Sequence, residues 1–590
     1  LALLPIGKDA QPEIIGVDGQ FDARDNLVIR GWRWVDDENL LITLTSHQNM
    51  FGRWYDPGRV VAFNRTTRKF TPLAINQRMF DGSRILWMSR EGPPTVLIER
   101  TPLNDNNTEM WGLPEVVKVD VLTGREEVVQ HQNPVVEGWS ADASGVVRIG
   151  TRYNGDTGRY TALYRPNGNS NFRTIVDEKE DRLNVVPLPR IYLADGKALT
   201  LSRHDGYTAV YEVNPETMKL GRKVFGVAGY DVDGVVATPK GDALESVVVT
   251  EQREKVYYME PRLKEIQQAL EETFGKGNVE IVSADRARET IVADVSAPGA
   301  PGAFYVYDTR TGGVGRLGWV NAAIKDAPVN PTSVVRYRAS DGKEIEAVLT
   351  MPRHRAGQKN LPLIVLPHGG PWARDAADWE YVPWAQPLAE LGYVVIQPNY
   401  RGSAGYGREW EKAADGNWGE RMQDDLNDAV TYLAGQGLVD PKRVCMMGWS
   451  YGGYAASRAA QRDGSKYRCA ISGAGPHDIP AMVAYDRTYL GEYGAKHALG
   501  SAGKLSQVSP GLHAKEYSAP ILIIHGEKDQ RVPVSQSRDL ARHLRDAGKV
   551  EGRDFEYLEI PRETHNLLLE SSRLKVLQAV KAFLDKHNPA

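Results

Sequence analysis

Gly448-Trp449-Ser450-Tyr451-Gly452-Gly453-Tyr454 decides how the C-terminal part of this chain is read. An apolar run, Arg443-Val444-Cys445-Met446-Met447, leads into it, and Tyr454-Ala455-Ala456-Ser457-Arg458-Ala459 leaves it with helical character. Strand, sharp turn and helix with a serine at the apex make a G-x-S-x-G elbow. Its glycines let the backbone turn tightly and lift the hydroxyl above a sheet. The motif also arises by chance, so its meaning depends on whether an acid and a base follow in the right order.

Beyond a linker-like stretch near 320–333, strands and helices alternate. Strands are predicted at 334–337, 345–351, 363–366, 394–397, 443–447, 469–472, 521–524 and 555–558, with helical patterns at 422–434 and 571–586. Near-continuous apolar strands separated by helices predict a mostly parallel sheet covered on both faces. With the elbow, the expected fold of residues 326–590 is an α/β-hydrolase with an eight-stranded sheet. Its partners follow in the order serine, acid, histidine. Asp529 lies in the loop His525-Gly526-Glu527-Lys528-Asp529, beyond a strand's carboxyl end, and His565 lies in the loop after the next strand. His565 would take the proton of Ser450, and Asp529 would hold the imidazole. Glu527 and Glu563 are rival acids, and His525 is read as structural, bonding the loop backbone. The oxyanion donors expected of the fold are the amides of Tyr451 and of Gly370, in the turn Pro367-His368-Gly369-Gly370-Pro371-Trp372.

Residues 15–320 read as short strands and turns. Val117-Lys118-Val119-Asp120-Val121-Leu122-Thr123-Gly124 and Tyr305-Val306-Tyr307-Asp308-Thr309-Arg310-Thr311-Gly312 share one pattern, an alternating strand running into Asp and closing on Thr-Gly. Such units recur at roughly 40 to 50 residues, the period of a propeller blade. Blades are predicted to start near Gly31, Phe80, Val136, Leu183, Tyr230 and Val279. With residues 1–30 as a partial first blade, residues 1–325 are expected to form a β-propeller of about seven. A helix with Leu263, Ile266, Leu270 and Phe274 on one face interrupts the pattern, placed to cap the propeller or pack on the next domain.

The chain has 590 residues, 41% hydrophobic and 25% charged, with a net charge of -4. That length predicts more than one domain, and the charge balance argues against nucleic acid as a partner. No apolar run reaches the roughly 18 residues of a membrane-spanning helix. The opening Leu1-Ala2-Leu3-Leu4-Pro5 is expected to follow a removed or missing segment and is too short to read as a signal-peptide remnant. No metal motif is present, and neither a metal nor a cofactor is expected. If their strands are neighbours, a disulfide joins Cys445 to Cys469 and favours an oxidising compartment; two unpaired core thiols are the other reading. Localisation stays open between bacterial periplasm and cytoplasm, leaning to the periplasm, and oligomeric state is open.

Four segments in order carry a resemblance: His368-Gly369-Gly370-Pro371, Asn399-Tyr400-Arg401-Gly402-Ser403-Ala404-Gly405-Tyr406-Gly407, the elbow, and His525-Gly526-Glu527-Lys528-Asp529. Together they resemble the prolyl oligopeptidase family of serine peptidases, in its acylaminoacyl-peptidase and dipeptidyl-peptidase branches. They span most of 333–590, whereas the N-terminal region is similar in architecture alone. The resemblance implies a propeller over a hydrolase, acting as a size filter, and short peptides as substrates. It also implies an aromatic substrate wall from Tyr485 and Tyr489; packing of a loop is the structural alternative. His368 stands where other branches carry a tyrosine that helps the oxyanion hole, and Thr564 stands where the family usually has glycine. Neither Glu126-Glu127 nor Glu271-Glu272 is a convincing grip for a peptide amine; both read as solvated. The expected function is an aminoacyl- or dipeptidyl-releasing oligopeptidase. The alternatives are an isopeptidase acting on lasso-type peptides, an esterase, and a binding protein with an inactive hydrolase.

Overall fold

The computed structural model describes residues 2–3, 13–15, 28–45, 48–50, 53–55, 57–75, 79–89, 91–103, 112–179, 186–325, 327–498 and 505–590. The chain packs as two units. One comprises Leu1–Ser202, Val210–Phe225 and Val235–Ser246, and the other Arg203–Ala209, Gly226–Gly234 and Val247–Ala590.

Six successive antiparallel blade sheets occupy 28–73, 79–130, 138–179, 191–225, 234–258 and 279–319; five have four strands and one has three. The expected partial seventh is corrected. Ahead of residue 28, the described residues contribute only the two-residue strands Ala2–Leu3 and Glu13–Ile14, paired with each other. Strands that short bury too little to make a blade. The repeated Asp…Thr-Gly signal has a local cause. Asp120 Oδ1 accepts the amides of Leu122 and Thr123 at 3.0 and 2.9 Å, and Asp308 Oδ1 accepts those of Arg310 and Thr311 at 2.9 and 3.2 Å. Gly124 and Gly312 then close each turn at φ 70° and 71°, a conformation that favours glycine. The predicted helix spans Pro261–Phe274, capped by the Glu260 carboxylate. It buries Leu263, Ile266 and Leu270 against Val279, Ile291 and Ala293, so its partner is the last blade sheet.

In the second unit, eight strands form one sheet: β1 (Thr332–Arg338), β2 (Glu344–Thr350), β3 (Leu361–Val365), β4 (Val394–Pro398), β5 (Val439–Trp449), β6 (Cys469–Gly473), β7 (Ile521–Gly526) and β8 (Phe555–Ile560), ordered β1-β2-β4-β3-β5-β6-β7-β8. The two β2 pairings are antiparallel and the rest parallel. Period-two alternation explains the unbroken apolar runs. Leu363, Val365 and Met446 pack on one face with Met422, Leu426 and Ala455, while Ile364, Cys445 and Met447 pack on the other with Val576, Val580 and Phe583. Both faces are therefore buried. Cys445 and Cys469 are direct register partners on β5 and β6 and form a disulfide. No helix among the described residues is long and apolar enough to cross a membrane.

Candidate active site

β5 ends at Trp449 and the helix α1 (Tyr451–Arg462) starts two residues later. Ser450 bridges them at φ 59° and ψ -120°, a backbone state that costs a non-glycine residue roughly 1–3 kcal/mol. The elbow glycines are demanded by close approach. A Cβ on Gly448 would lie 2.4 Å from the Gly452 carbonyl carbon, and one on Gly452 would lie 2.1 Å from Pro367 O. The second contact shows how near α1 comes to the end of β3. The turn after β3 reaches the serine as well, since a Cβ on Gly369 would stand 3.4 Å from Ser450 Cβ and 4.0 Å from its Oγ. Tyr451 is the first residue of α1, so its amide has no partner inside the helix and stands at the positive end of the helix dipole. Gly370 is exposed beside this turn at φ 112°.

His565 Nδ1 lies 2.6 Å from Asp529 Oδ2. Asp529 is buried, whereas Ser450 and His565 are partly exposed. Asp529 Oδ1 accepts the amides of Arg531 and Val532, each at 2.9 Å. Burial pushes the Asp529 carboxyl up, but hydrogen bonds from His525 and His565 outweigh it and bring it down to about 2. The acid therefore stays ionised through the physiological range. Trp449 ties the elbow to the histidine loop by donating its indole N–H to His565 O at 2.7 Å. Four non-glycine residues with positive φ, Ser450, Ala474, Arg562 and Leu567, follow the carboxyl ends of β5, β6 and β8. Strain of this kind gathers where geometry is imposed from outside.

The rival acids are engaged elsewhere. Glu527 accepts the Arg562 amide at 2.8 Å, and buried Glu563 accepts the amides of Leu568 and Leu569 at 2.8 and 3.1 Å. His368 stacks on Tyr400 with ring centroids 4.5 Å apart, and its Nε2 lies 2.8 Å from Ser403 Oγ. Burial pushes its imidazole down to about 4, so it is neutral near pH 7. In the helix α2 (Ile479–Ala498), broken at Gly491, the Tyr485 hydroxyl donates to Gln530 O at 2.6 Å. That places Tyr485 against the loop of Asp529. Tyr489 lies in the same helix, its side chain outside the described ones.

Three features went unread in the sequence: the Trp449 tie, the pair between Arg531 and buried Asp486 at 2.9 Å, and the contact of His525 with Asp529. Only the last has a sequence signal, the four-residue spacing at the end of β7. Of the acid pairs, Glu126 departs from the solvated reading, because it holds the buried Arg100 guanidinium at 2.9 Å. No cluster of metal-binding side chains occurs among the described residues.

The chain is similar to several known proteins. Residues 379–589 match the prolyl oligopeptidase family. The chain is 28% identical over 479 residues to dipeptidyl aminopeptidase BIII of Pseudoxanthomonas mexicana, a match spanning 78% of this chain and 68% of that one. It is 27% identical over 235 residues to the acylamino-acid-releasing enzyme of Homo sapiens, spanning 38% of this chain and 31% of that one. The fold is similar to that of a puromycin-hydrolyzing peptidase of Mycobacterium tuberculosis, with a TM-score of 0.64 at 18% identity over 96% of this chain and 95% of that one.

Proposed function

We propose that the chain is a serine hydrolase of the prolyl oligopeptidase family, whose model matches residues 379–589, and that it releases aminoacyl or dipeptidyl units from short peptides through an acyl-enzyme on Ser450. The observation that carries this reading is the buried, ionised Asp529 bonded to His565 Nδ1 at 2.6 Å, in the loop tied to the serine elbow. With Nδ1 so engaged, Nε2 is the nitrogen left for the serine proton. Ser450 Oγ attacks the scissile carbonyl carbon as its proton passes to His565. The oxyanion that forms takes N–H bonds from Tyr451 and Gly370. The proton then passes to the leaving amine as the C–N bond breaks, leaving the acyl ester on Ser450. A water molecule then gives a proton to His565 as it attacks the ester carbon, and as the acyl C–O bond breaks His565 returns that proton to Ser450 Oγ and the carboxylic acid product leaves. Asp529 stabilises the imidazolium in both halves. Tyr485 forms part of the substrate wall, with Tyr489 as its second member, and no cofactor enters the scheme.

The 479-residue match to a dipeptidyl aminopeptidase favours dipeptide release, while the acylamino-acid-releasing relative keeps blocked amino termini in the test. A peptide library of increasing length with free, acylated and isopeptide-linked termini, together with simple acyl esters, should be incubated with the protein and read by mass spectrometry. Dipeptide or single-residue release from short members is expected, with Ser450→Ala inactive. Peptide hydrolysis retained by Ser450→Ala would sink the mechanism, and turnover confined to the acyl esters would move the reading to an esterase.

A further inference from the structure

Two imidazoles meet the same carboxylate oxygen. Asp529 Oδ2 lies 2.6 Å from His565 Nδ1 and 3.2 Å from His525 Nε2. His525 is the next-to-last residue of β7, and its side chain is 0% exposed. The same Nε2 lies 2.9 Å from the Val532 carbonyl oxygen. Both neighbours of Nε2, an ionised carboxylate and a carbonyl, can only accept, so Nε2 carries the hydrogen. Ser537 Oγ, on the helix α3 (Ser535–Asp546), lies 2.7 Å from Nδ1. A neutral ring then takes the Ser537 hydroxyl proton at Nδ1, and the tautomer is set from both sides.

The titratable side chains around His525 are uncharged or engaged elsewhere. His477, buried within electrostatic reach of His525, has two ring nitrogens without a hydrogen-bond partner. Burial, with His525 beside it, pushes His477 down to about 3, so it brings no charge. Glu559, opposite His525 on β8, is occupied by the Arg538 guanidinium at 2.9 and 2.6 Å. Asp529 is thus the acceptor left for His525 besides the Val532 carbonyl.

We propose that His525 is a positioning residue of the active site, its Nε2–H sharing Asp529 Oδ2 with the Nδ1–H of His565. This rests on the triad proposed above. With Oδ1 held by two backbone amides, the His525 donor anchors the second oxygen and draws charge from it. The carboxylate therefore pulls less strongly on the His565 proton than an acid bonded to one imidazole alone. Losing the donor concentrates that charge on His565 and stabilises the imidazolium. The acid limb of the pH profile of kcat/KM then moves to higher pH, and kcat falls because the carboxylate loses one of its anchors.

The test compares His525→Leu with His525→Gln, whose amide nitrogen reaches about as far as Nε2. His525→Leu is expected to lower kcat by about 10- to 100-fold with KM within about threefold, and to move the acid limb upward. His525→Gln is expected to recover most of the kcat and the wild-type limb. Equal losses in both variants, or a wild-type limb in His525→Leu, would overturn the proposal. Should His525→Leu not fold, the intact protein labelled with 15N-histidine gives the second measurement. A downfield Nε2–H signal of His525 that shifts in Asp529→Asn is expected, and one unmoved by that change refutes the shared oxygen. Activity of Ser450→Ala and His565→Ala separates the two readings. If both variants are inactive while His525→Leu behaves as wild type, only the positioning role fails; if they stay active, the triad itself fails.

Discussion

Replacing Gly452 by alanine sets two effects against each other. Gly452 is the second residue of α1, and in an open helix alanine would be favoured over glycine by about 1 kcal/mol. Here the added Cβ would stand 2.1 Å from Pro367 O, 3.1 Å from Pro367 C and 3.3 Å from His368 O. A carbon and a carbonyl oxygen need roughly 3.3 Å between them, so the start of α1 and the end of β3 must part by about 1 Å. The atoms in the way are backbone, at the head of the turn that carries Gly370, and cannot rotate aside. Overpacking of this kind costs about 1–3 kcal/mol, which exceeds the gain in helix propensity. The parting also separates the Tyr451 amide from the Gly370 turn, the two proposed oxyanion donors, and a misplacement of that size costs about 100-fold in rate. Gly452→Ala should therefore melt below wild type, lose most of its kcat/KM on a dipeptide amide, and label slowly with a fluorophosphonate. A variant that melts at or above wild type and keeps kcat/KM within about threefold would refute the reasoning, because helix propensity would then have prevailed over the clash.

Other outcomes follow from groups away from the serine. Arg100, 1% exposed, pairs with Glu115 at 2.8 Å and Glu126 at 2.9 Å; Arg100→Met leaves two carboxylates facing each other and should cost about 3–5 kcal/mol in denaturant unfolding. Thiol titration of the unfolded, unreduced protein should find no free thiol. Removing the crosslink with Cys445→Ala and Cys469→Ala together, across a sequence separation of 24, should cost about 3 kcal/mol. Burial raises the Asp375 carboxyl from its ordinary 3.8 to about 7, and its Oδ2 and Gln397 Oε1 both lack a donor. The folded state then holds a proton that the unfolded state releases, so stability falls as pH rises from about 4 to 7 and is level above that. Asp375→Asn, whose amide can donate to Gln397, should match wild type near pH 4 and melt higher at pH 8, as read by circular dichroism.

Much of this architecture was legible residue by residue. The eight sheet strands follow from apolar runs bounded by turns, and five blade boundaries follow from spacing, because both signals are local. The Asp…Thr-Gly repeat is legible for the same reason, since the side chain and the amides it satisfies lie within three residues. The partial first blade was not, because alternation alone does not say whether enough strands assemble to bury a sheet. Glu126 was misread as solvated because its partner, Arg100, comes from another strand. His525 was read as bonding loop backbone, and it does reach Val532 O. Its second contact depends on how the loop after β7 folds back on itself.

The amino-acid sequence by itself determined the order of serine, acid and histidine, the strand–turn–helix that exposes Ser450, and the glycines that turn requires. These are short-range properties of chain geometry, written in adjacent residues. Only the tertiary structure decided which carboxylate meets His565, that Trp449 ties the elbow to the histidine loop, and that Cys445 and Cys469 are register partners. It also decided that Asp529 is shared by two imidazoles. These are meetings of groups far apart along the chain, set by sheet register and by the paths of the loops at the carboxyl ends of β5, β7 and β8. Apart from the four-residue spacing of His525 and Asp529, no spacing rule within a single segment encodes those meetings, because the others depend on how distant strands come to lie side by side.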